Sequence, residues 1–264
     1  MLNFEYLRPS TVTEAGAMLG KMSEARPLAG GMTLIPAMKL RLAAPTALVD
    51  LAGVPELNGI KVDGKTVIVG AMTKHADVAA SADVRRLIPA LADLAGGIGD
   101  AQVRNKGTLG GSIANNDPAA CYPAAVLALG ATVTTNRRKI AADSFFTGMF
   151  ETALEPGEIV TGVTFPVPAA AAYEKFRSPA SRYALVGVFV AKTTGGVRVA
   201  VTGAATCVFR ASAIESILAE KFSAEALASL RFPADGLNSD LHGDAQYRAQ
   251  LVGVLTKRAV AKLS

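Results

Sequence analysis

The chain has 264 residues, half of them hydrophobic and 19% charged, a core-forming composition that excludes a disordered or fibrous protein. The net charge of +5 comes from scattered Lys and Arg, and Trp is absent, which argues against a nucleic-acid groove or a base-stacking platform. Cys121 and Cys207 lie far apart and His75 and His242 are isolated, so no metal-ligand spacing or four-ligand iron–sulfur set arises; any redox chemistry needs an organic cofactor or a partner's centre.

The apolar residues Val12, Ala15, Met18 and Leu19 have helical spacing, with Ser10 or Thr11 as cap and Gly20 as stop. "ARPLAGG" reads as a short strand entering a glycine turn, "TLIPAMKLRLA" as a helix, and "TALVDLA" as a short strand. "GIKVDGKTVIVGA" is a hairpin turning at Asp63-Gly64. "TKHADVAAS" and "ADVRRLIPALADLAGGIG" are helical, the second ending at Gly96-Gly97. An apolar strand precedes a turn at Arg137-Arg138-Lys139. A loop or short helix and a further strand follow, up to "TFPVP". From Tyr173 the pattern becomes strands with a Gly195-Gly196 turn, a helix over Ser212–Glu220, and a tail helix over Asp244–Leu263. The Pro- and Ala-rich stretch Phe165–Tyr173 is the best domain boundary. The class is α+β in two modules. Stretches such as Ala119–Leu129 are too short and interrupted to span a bilayer, and no secretion signal is legible, so the expectation is a cytoplasmic protein without a stable membrane span.

Two glycine turns stand out: "AGGMT" at Ala29–Thr33 and "TLGGS" at Thr108–Ser112. Adjacent glycines permit positive φ and close approach of the backbone to a ligand, and successive N–H groups in such turns bind phosphate oxygens. The same residues would also serve a plain bend. Neither turn is a P-loop, and "GGIGDAQ" has Gln102 where a dinucleotide-binding fingerprint needs its last glycine. Asp117-Pro118 has the chemistry of a helix cap and first residue, with the helix running to Leu129 and stopping at Gly130; ligand binding is the alternative. On that reading Cys121 sits in the first helical turn as a packing residue. His75 reads as a surface or capping residue and His242 as a loop residue.

"AGGMTLIPAMKLRL", "VRNKGTLGGSIANNDPAACYPAAVLALGA", "EPGEIVTGVTFP" and "AAYEKFRSPASRYALVGVFVA" together resemble the FAD-binding medium subunit of molybdenum hydroxylases, the carbon monoxide and xanthine dehydrogenase relatives. The resemblance covers nearly the whole chain. It implies an FAD-binding module of the vanillyl-alcohol oxidase type over residues 1–170, with subdomains of about 1–54 and 55–170, and a smaller α+β domain over 171–264. It implies non-covalent FAD clamped at its pyrophosphate by two segments: Ala29, Gly30, Gly31, Met32 and Thr33, and Thr108, Leu109, Gly110, Gly111 and Ser112. Ile159 and Val160 would lie by the adenine through backbone contacts, Lys175 would reach the FAD, and Tyr183 would stand beside the isoalloxazine. Two positions depart from the family. Cys121 replaces an acid that accepts from ribose hydroxyls, and a thiol is a poor acceptor, leaving Asp117 or water to substitute. Met32-Thr33 replaces a Gln or His followed by Ser.

The resemblance further implies an oxidoreductase subunit with no catalytic acid, base or metal ligand of its own. A large molybdopterin subunit and a small iron–sulfur subunit would carry the molybdenum cofactor and the clusters. Electrons would pass from those clusters to FAD on this chain and on to an external acceptor. A stand-alone FAD-dependent reductase or oxidase, and a basic nucleic-acid- or ligand-binding module without flavin, are the competing readings.

Overall fold

In a computed structural model, residues 1–263 are described, and they form three sheets of successive chain segments plus a two-stranded hairpin. The first sheet is parallel. Ala47–Asp50 lies at its centre between Glu5–Leu7 and Ala25–Leu28. Its crossover helix is Val12–Lys21, capped by the Thr11 side chain, which accepts from the Glu14 N–H. The strand Ala25–Leu28 runs directly into the first glycine turn, and the helix Leu34–Lys39 leaves it.

The second sheet is antiparallel, in the order Ile60–Asp63, Thr66–Gly70, Val160–Pro166, Thr132–Thr135, Lys139–Ala141. Its central strand arrives ninety residues after its neighbour Thr66–Gly70, so this sheet cannot close until the segment between them has packed. That segment supplies the helices His75–Ala80, Ala82–Leu87, Pro89–Gly96, Ala101–Arg104, Leu109–Asn115 and Tyr122–Ala128. All seven residues of Tyr122–Ala128 are buried, as expected of a helix that is apolar on every side.

The third sheet is antiparallel, in the order Ala170–Arg177, Ala184–Thr193, Gly196–Thr202, Phe209–Arg210. The run "ALVGVFVA" at Ala184–Ala191 is buried without interruption. Val186, Val188 and Val190 face the helices Ser212–Glu220 and Ala245–Ala261, while Phe189 and Ala191 join the core of the preceding module. A strand covered on both faces needs no polar alternation. The two modules therefore share one of the buried clusters, with the Tyr122–Ala128 helix packed against the sheet. The last strand of the second sheet ends at Pro166 and the first of the third begins at Ala170.

Three expectations are corrected. The helix read across 82–97 breaks at Ile88–Pro89, because Pro lacks the N–H and pushes the preceding residue away from helical ψ; Ile88 has φ −140° and ψ 66°. Asp117-Pro118 does not start a helix. Asp117 Oδ1 accepts from the Ala119 N–H at 2.8 Å in a tight turn, and the helix begins at Tyr122 with Cys121 at its cap position. The "TLGGS" segment is not a free turn but the start of the helix Leu109–Asn115, capped by Thr108.

Arg198 ties the two modules together. It donates to the Leu127 carbonyl at 3.1 and 2.8 Å, at the C-terminal end of the buried helix, and to both carboxylate oxygens of Asp143 at 2.7 and 2.9 Å. Replacing Arg198 with Leu strands the carbonyl of the buried Leu127, while the half-exposed Asp143 carboxylate keeps water and Arg210. The expected cost is about 2 kcal/mol in urea unfolding of the whole chain.

Candidate functional site

The two glycine segments meet. A Cβ on Gly30 would lie 2.2 Å from the Lys106 carbonyl oxygen and 2.8 Å from the Gly107 Cα. A Cβ on Gly111 would lie 3.3 Å from that of Ala29. Only glycine permits this approach of backbone to backbone. Around the junction opens a cleft of about 810 Å³, within the range of small-molecule and cofactor sites.

The cleft draws on residues from Arg26 to Tyr183. Ala29, Gly30, Gly31, Met32, Thr33, Thr108, Gly110, Gly111, Ser112, Asp117, Cys121, Ile159, Val160, Lys175 and Tyr183 all line it. Leu109 is not on its wall; that side chain is fully buried in the core. The third-sheet module contributes Lys175 and the loop residues Ala180–Tyr183.

The main-chain donors are divided unequally between the two segments. In the second, all but the Thr108 N–H are consumed: Leu109 donates to Thr73 O, Gly110 to Ala71 O, Gly111 to Thr108 Oγ1 and Ser112 to Thr108 O. In the first, the N–H groups of Gly30, Gly31, Met32, Thr33 and Leu34 meet no acceptor among the described residues. Gly31 is held at φ 70°, the left-handed conformation that lets successive N–H groups turn to one side. A run of main-chain donors without partners has the chemistry to receive an anion. Of the amides expected to form a clamp, those of the first segment are free, while the second keeps only the Thr108 N–H among the described residues. The second segment offers a flat glycine face and the side chains of Ser112 and Asn115, neither of which hydrogen-bonds a described residue.

At the far end of the cleft the backbone of Ile159 is already engaged. Its N–H donates to Asn136 Oδ1 at 2.9 Å and its carbonyl accepts from the Asn136 N–H at 3.0 Å. Beside it, Glu158 takes two N–H donors of Arg138 at 3.0 Å each, the Thr135 hydroxyl at 2.7 Å and the Glu155 N–H at 2.9 Å. The Arg138 hydrogen bonds above all hold its carboxyl down at about 2. Arg138 is thus an anchor for this wall and not the freely solvated turn residue of the sequence reading.

Near the opposite wall, Lys175 Nζ donates to the Gly97 carbonyl at 3.1 Å and to Cys121 Sγ at 3.4 Å. Tyr183 is half exposed. Burial, then the nearby Asp117 and Cys121, raise its phenol above the ordinary value. Its loop is closed by Ser178 N–H to Tyr183 O and Arg182 N–H to Ser178 O, both 2.8 Å, with Arg182 at φ 63°.

Sequence reasoning missed three contributors. His75 is buried and lines the cleft, packed on Tyr122 with ring centroids 5.3 Å apart; it is not a surface residue. The segment with Ile98, Gly99, Asp100 and Val103, the failed fingerprint, forms part of the wall. Asn115, at the end of the second segment's helix, also lines the cleft. None of these carries a periodic signal, because each owes its place to the packing of the helices around the second sheet.

Residues 2–168 match the family model described as the FAD binding domain in molybdopterin dehydrogenase. The chain belongs to this family. It is 38% identical over 274 residues to the carbon monoxide dehydrogenase medium chain of Hydrogenophaga pseudoflava, covering 97% of this chain and 96% of the relative. It is 35% identical over 271 residues to the nicotine 6-hydroxylase medium subunit of Paenarthrobacter nicotinovorans, with 97% and 96% covered. Among solved structures it resembles carbon monoxide dehydrogenase from Hydrogenophaga pseudoflava lacking the Mo-pyranopterin moiety, with a TM-score of 0.89, 39% identity and 98% and 96% covered. Quinoline 2-oxidoreductase from Pseudomonas putida 86 gives a TM-score of 0.89 at 30% identity, with 99% and 96% covered. The fold of this FAD-binding family, α+β throughout, is that of the medium chains.

His75 makes the cleft sensitive to acid. Burial first, then the Arg104 charge, lower its imidazole from 6.5 to about 4. The unfolded chain therefore takes up this proton more readily than the folded one. The neutral ring's contribution is fully present above pH 6.5 and is lost as pH falls towards about 4. By about pH 5 the loss is of order 2 kcal/mol. In His75→Gln the stability difference between neutral pH and about pH 5, read by urea unfolding, shrinks by a similar amount.

Proposed function

We propose that this chain is the FAD-holding, electron-transferring medium subunit of a molybdenum hydroxylase complex, assembled with a large molybdopterin subunit and a small iron–sulfur subunit. The carrying observation is the run of five N–H groups, Gly30 to Leu34, without acceptors among the described residues, in segments that line the cleft of a chain of the FAD-binding family. A dinucleotide's diphosphate fits that chemistry: fixed main-chain dipoles neutralise charge without the entropy loss of long side chains. When bound, FAD supplies the redox exchange for which this chain has no group of its own.

The chain's own residues bind and orient. The Gly30–Leu34 amides, with the Thr33 and Ser112 hydroxyls, receive phosphate oxygens. Thr108 and Leu109 hold the second segment's shape, and Gly110 and Gly111 let it come close. Ile159 and Val160 form an apolar wall rather than a hydrogen-bonding edge, since Ile159 is spent on Asn136. Cys121 is committed to Lys175, so Asp117, whose second carboxylate oxygen meets no donor among the described residues, is the acceptor left for a ribose hydroxyl. Lys175 and Tyr183 close the flavin side. The division into an FAD module of residues 1–170, with subdomains of about 1–54 and 55–170, and a 171–264 module belongs to the same proposal. So does cytoplasmic placement; no helix among the described residues is long and apolar enough to cross a membrane.

The purified chain is expected to carry stoichiometric FAD that acid releases into the supernatant. A folded chain that holds no flavin and takes up none would overturn the reading. Gly30→Ala places a methyl against the Lys106 carbonyl, and FAD affinity in fluorescence titration is expected to fall by tenfold or more.

A further inference from the structure

The wall Asp117–Cys121 belongs to the first module by sequence, yet its carbonyls are held by the second. The Thr202 hydroxyl spans the Pro118 and Ala120 carbonyls at 2.9 and 2.7 Å, and the Gly203 N–H reaches Pro118 O at 2.7 Å. Thr202 is 1% exposed, so these bonds are sheltered from water. The helix that follows starts only at Tyr122, beyond these carbonyls.

Gly203 itself is fixed from behind. Its φ is 80°, and a Cβ there would lie 2.4 Å from the Ala184 carbonyl oxygen. The buried Arg248 of the long C-terminal helix donates through one nitrogen to both Gly203 O and Leu185 O at 2.8 Å. Its other terminal nitrogen pairs with Asp240 at 2.7 Å. Leu185 directly follows the loop that carries Tyr183 into the cleft. One guanidinium thus ties together the ends of two strands, and those ends support two different cleft walls: Asp117–Cys121 through Thr202 and Gly203, and Ala180–Tyr183 through Leu185.

We infer that Thr202 is a positioning residue for the cofactor cleft, and that the third sheet, clamped by Arg248, sets the Asp117–Cys121 wall in its binding geometry. This rests on the FAD reading for its consequence, not for its geometry. Cofactor binding and docking of the two modules are then linked: each favours the other by the same factor.

Thr202→Val keeps the shape and removes the hydroxyl; Thr202→Ser restores it. In the full chain, FAD affinity is expected to fall about tenfold in Thr202→Val, as for loss of a sheltered hydrogen bond, and to recover in Thr202→Ser. Hydrogen exchange of the Ala119–Cys121 amides, measured without flavin, is expected to quicken in Thr202→Val and return to the original rate in Thr202→Ser. Unchanged exchange in Thr202→Val overturns the latch whether or not flavin binds. Quickened exchange with unchanged FAD affinity overturns the wall's role in binding. If the unaltered chain takes up no FAD while exchange follows this pattern, the cofactor reading fails and the latch stands.

Discussion

The approach of Gly30 to the Lys106–Gly107 backbone is the constraint on which the site depends. It brings a parallel-sheet turn from the first fifty residues against a helix entry some eighty residues later. No side chain separates them. The Leu109–Ser112 amides are already bonded within the protein, whereas those of Gly30–Leu34 meet no acceptor among the described residues. The cost of holding five N–H groups without partners is tolerable only because the cleft is open to water and to a ligand.

The cleft is a joint product of two modules that share a core. The Ala184–Thr193 strand is buried on both faces, and the Tyr122–Ala128 helix is buried on all sides. The same arrangement lets polar links cross the junction. Arg198 reaches the end of the buried helix, Thr202 holds the segment before its start, and Lys175 meets Cys121 beside it. The helix is thereby secured at both ends from the third sheet, and the cleft wall preceding it inherits that position.

Much of this was legible in the sequence where local chemistry decides. Thr11 caps the first helix, Asp63-Gly64 turns the hairpin, Gly130 ends the buried helix, and Ser212–Glu220 is a helix as read. The glycine turns were visible as places for close approach. What they approach was not, because Lys106 is distant in sequence from Gly30. Local capping rules misread Asp117-Pro118, where Asp117 closes a tight turn and the carbonyls beyond it accept from Thr202 and Gly203 more than eighty residues later. His75 was unreadable for a similar reason: a lone histidine on a short helix says nothing of the Tyr122 ring and Gly107 backbone that enclose it. The family resemblance named the segments and the cofactor. The allocation of hydrogen bonds within those segments came from the geometry.

The central claim is that a diphosphate is held by the Gly30–Leu34 amides and not by those of Gly110–Ser112. Amide NMR of the full chain during FAD titration tests it most directly. The expected result is large shifts of the Gly30–Leu34 N–H resonances, which exchange freely without flavin and become protected with it, while Leu109–Ser112 stay protected throughout. Saturable FAD binding that leaves the Gly30–Leu34 amides unshifted and unprotected would contradict it.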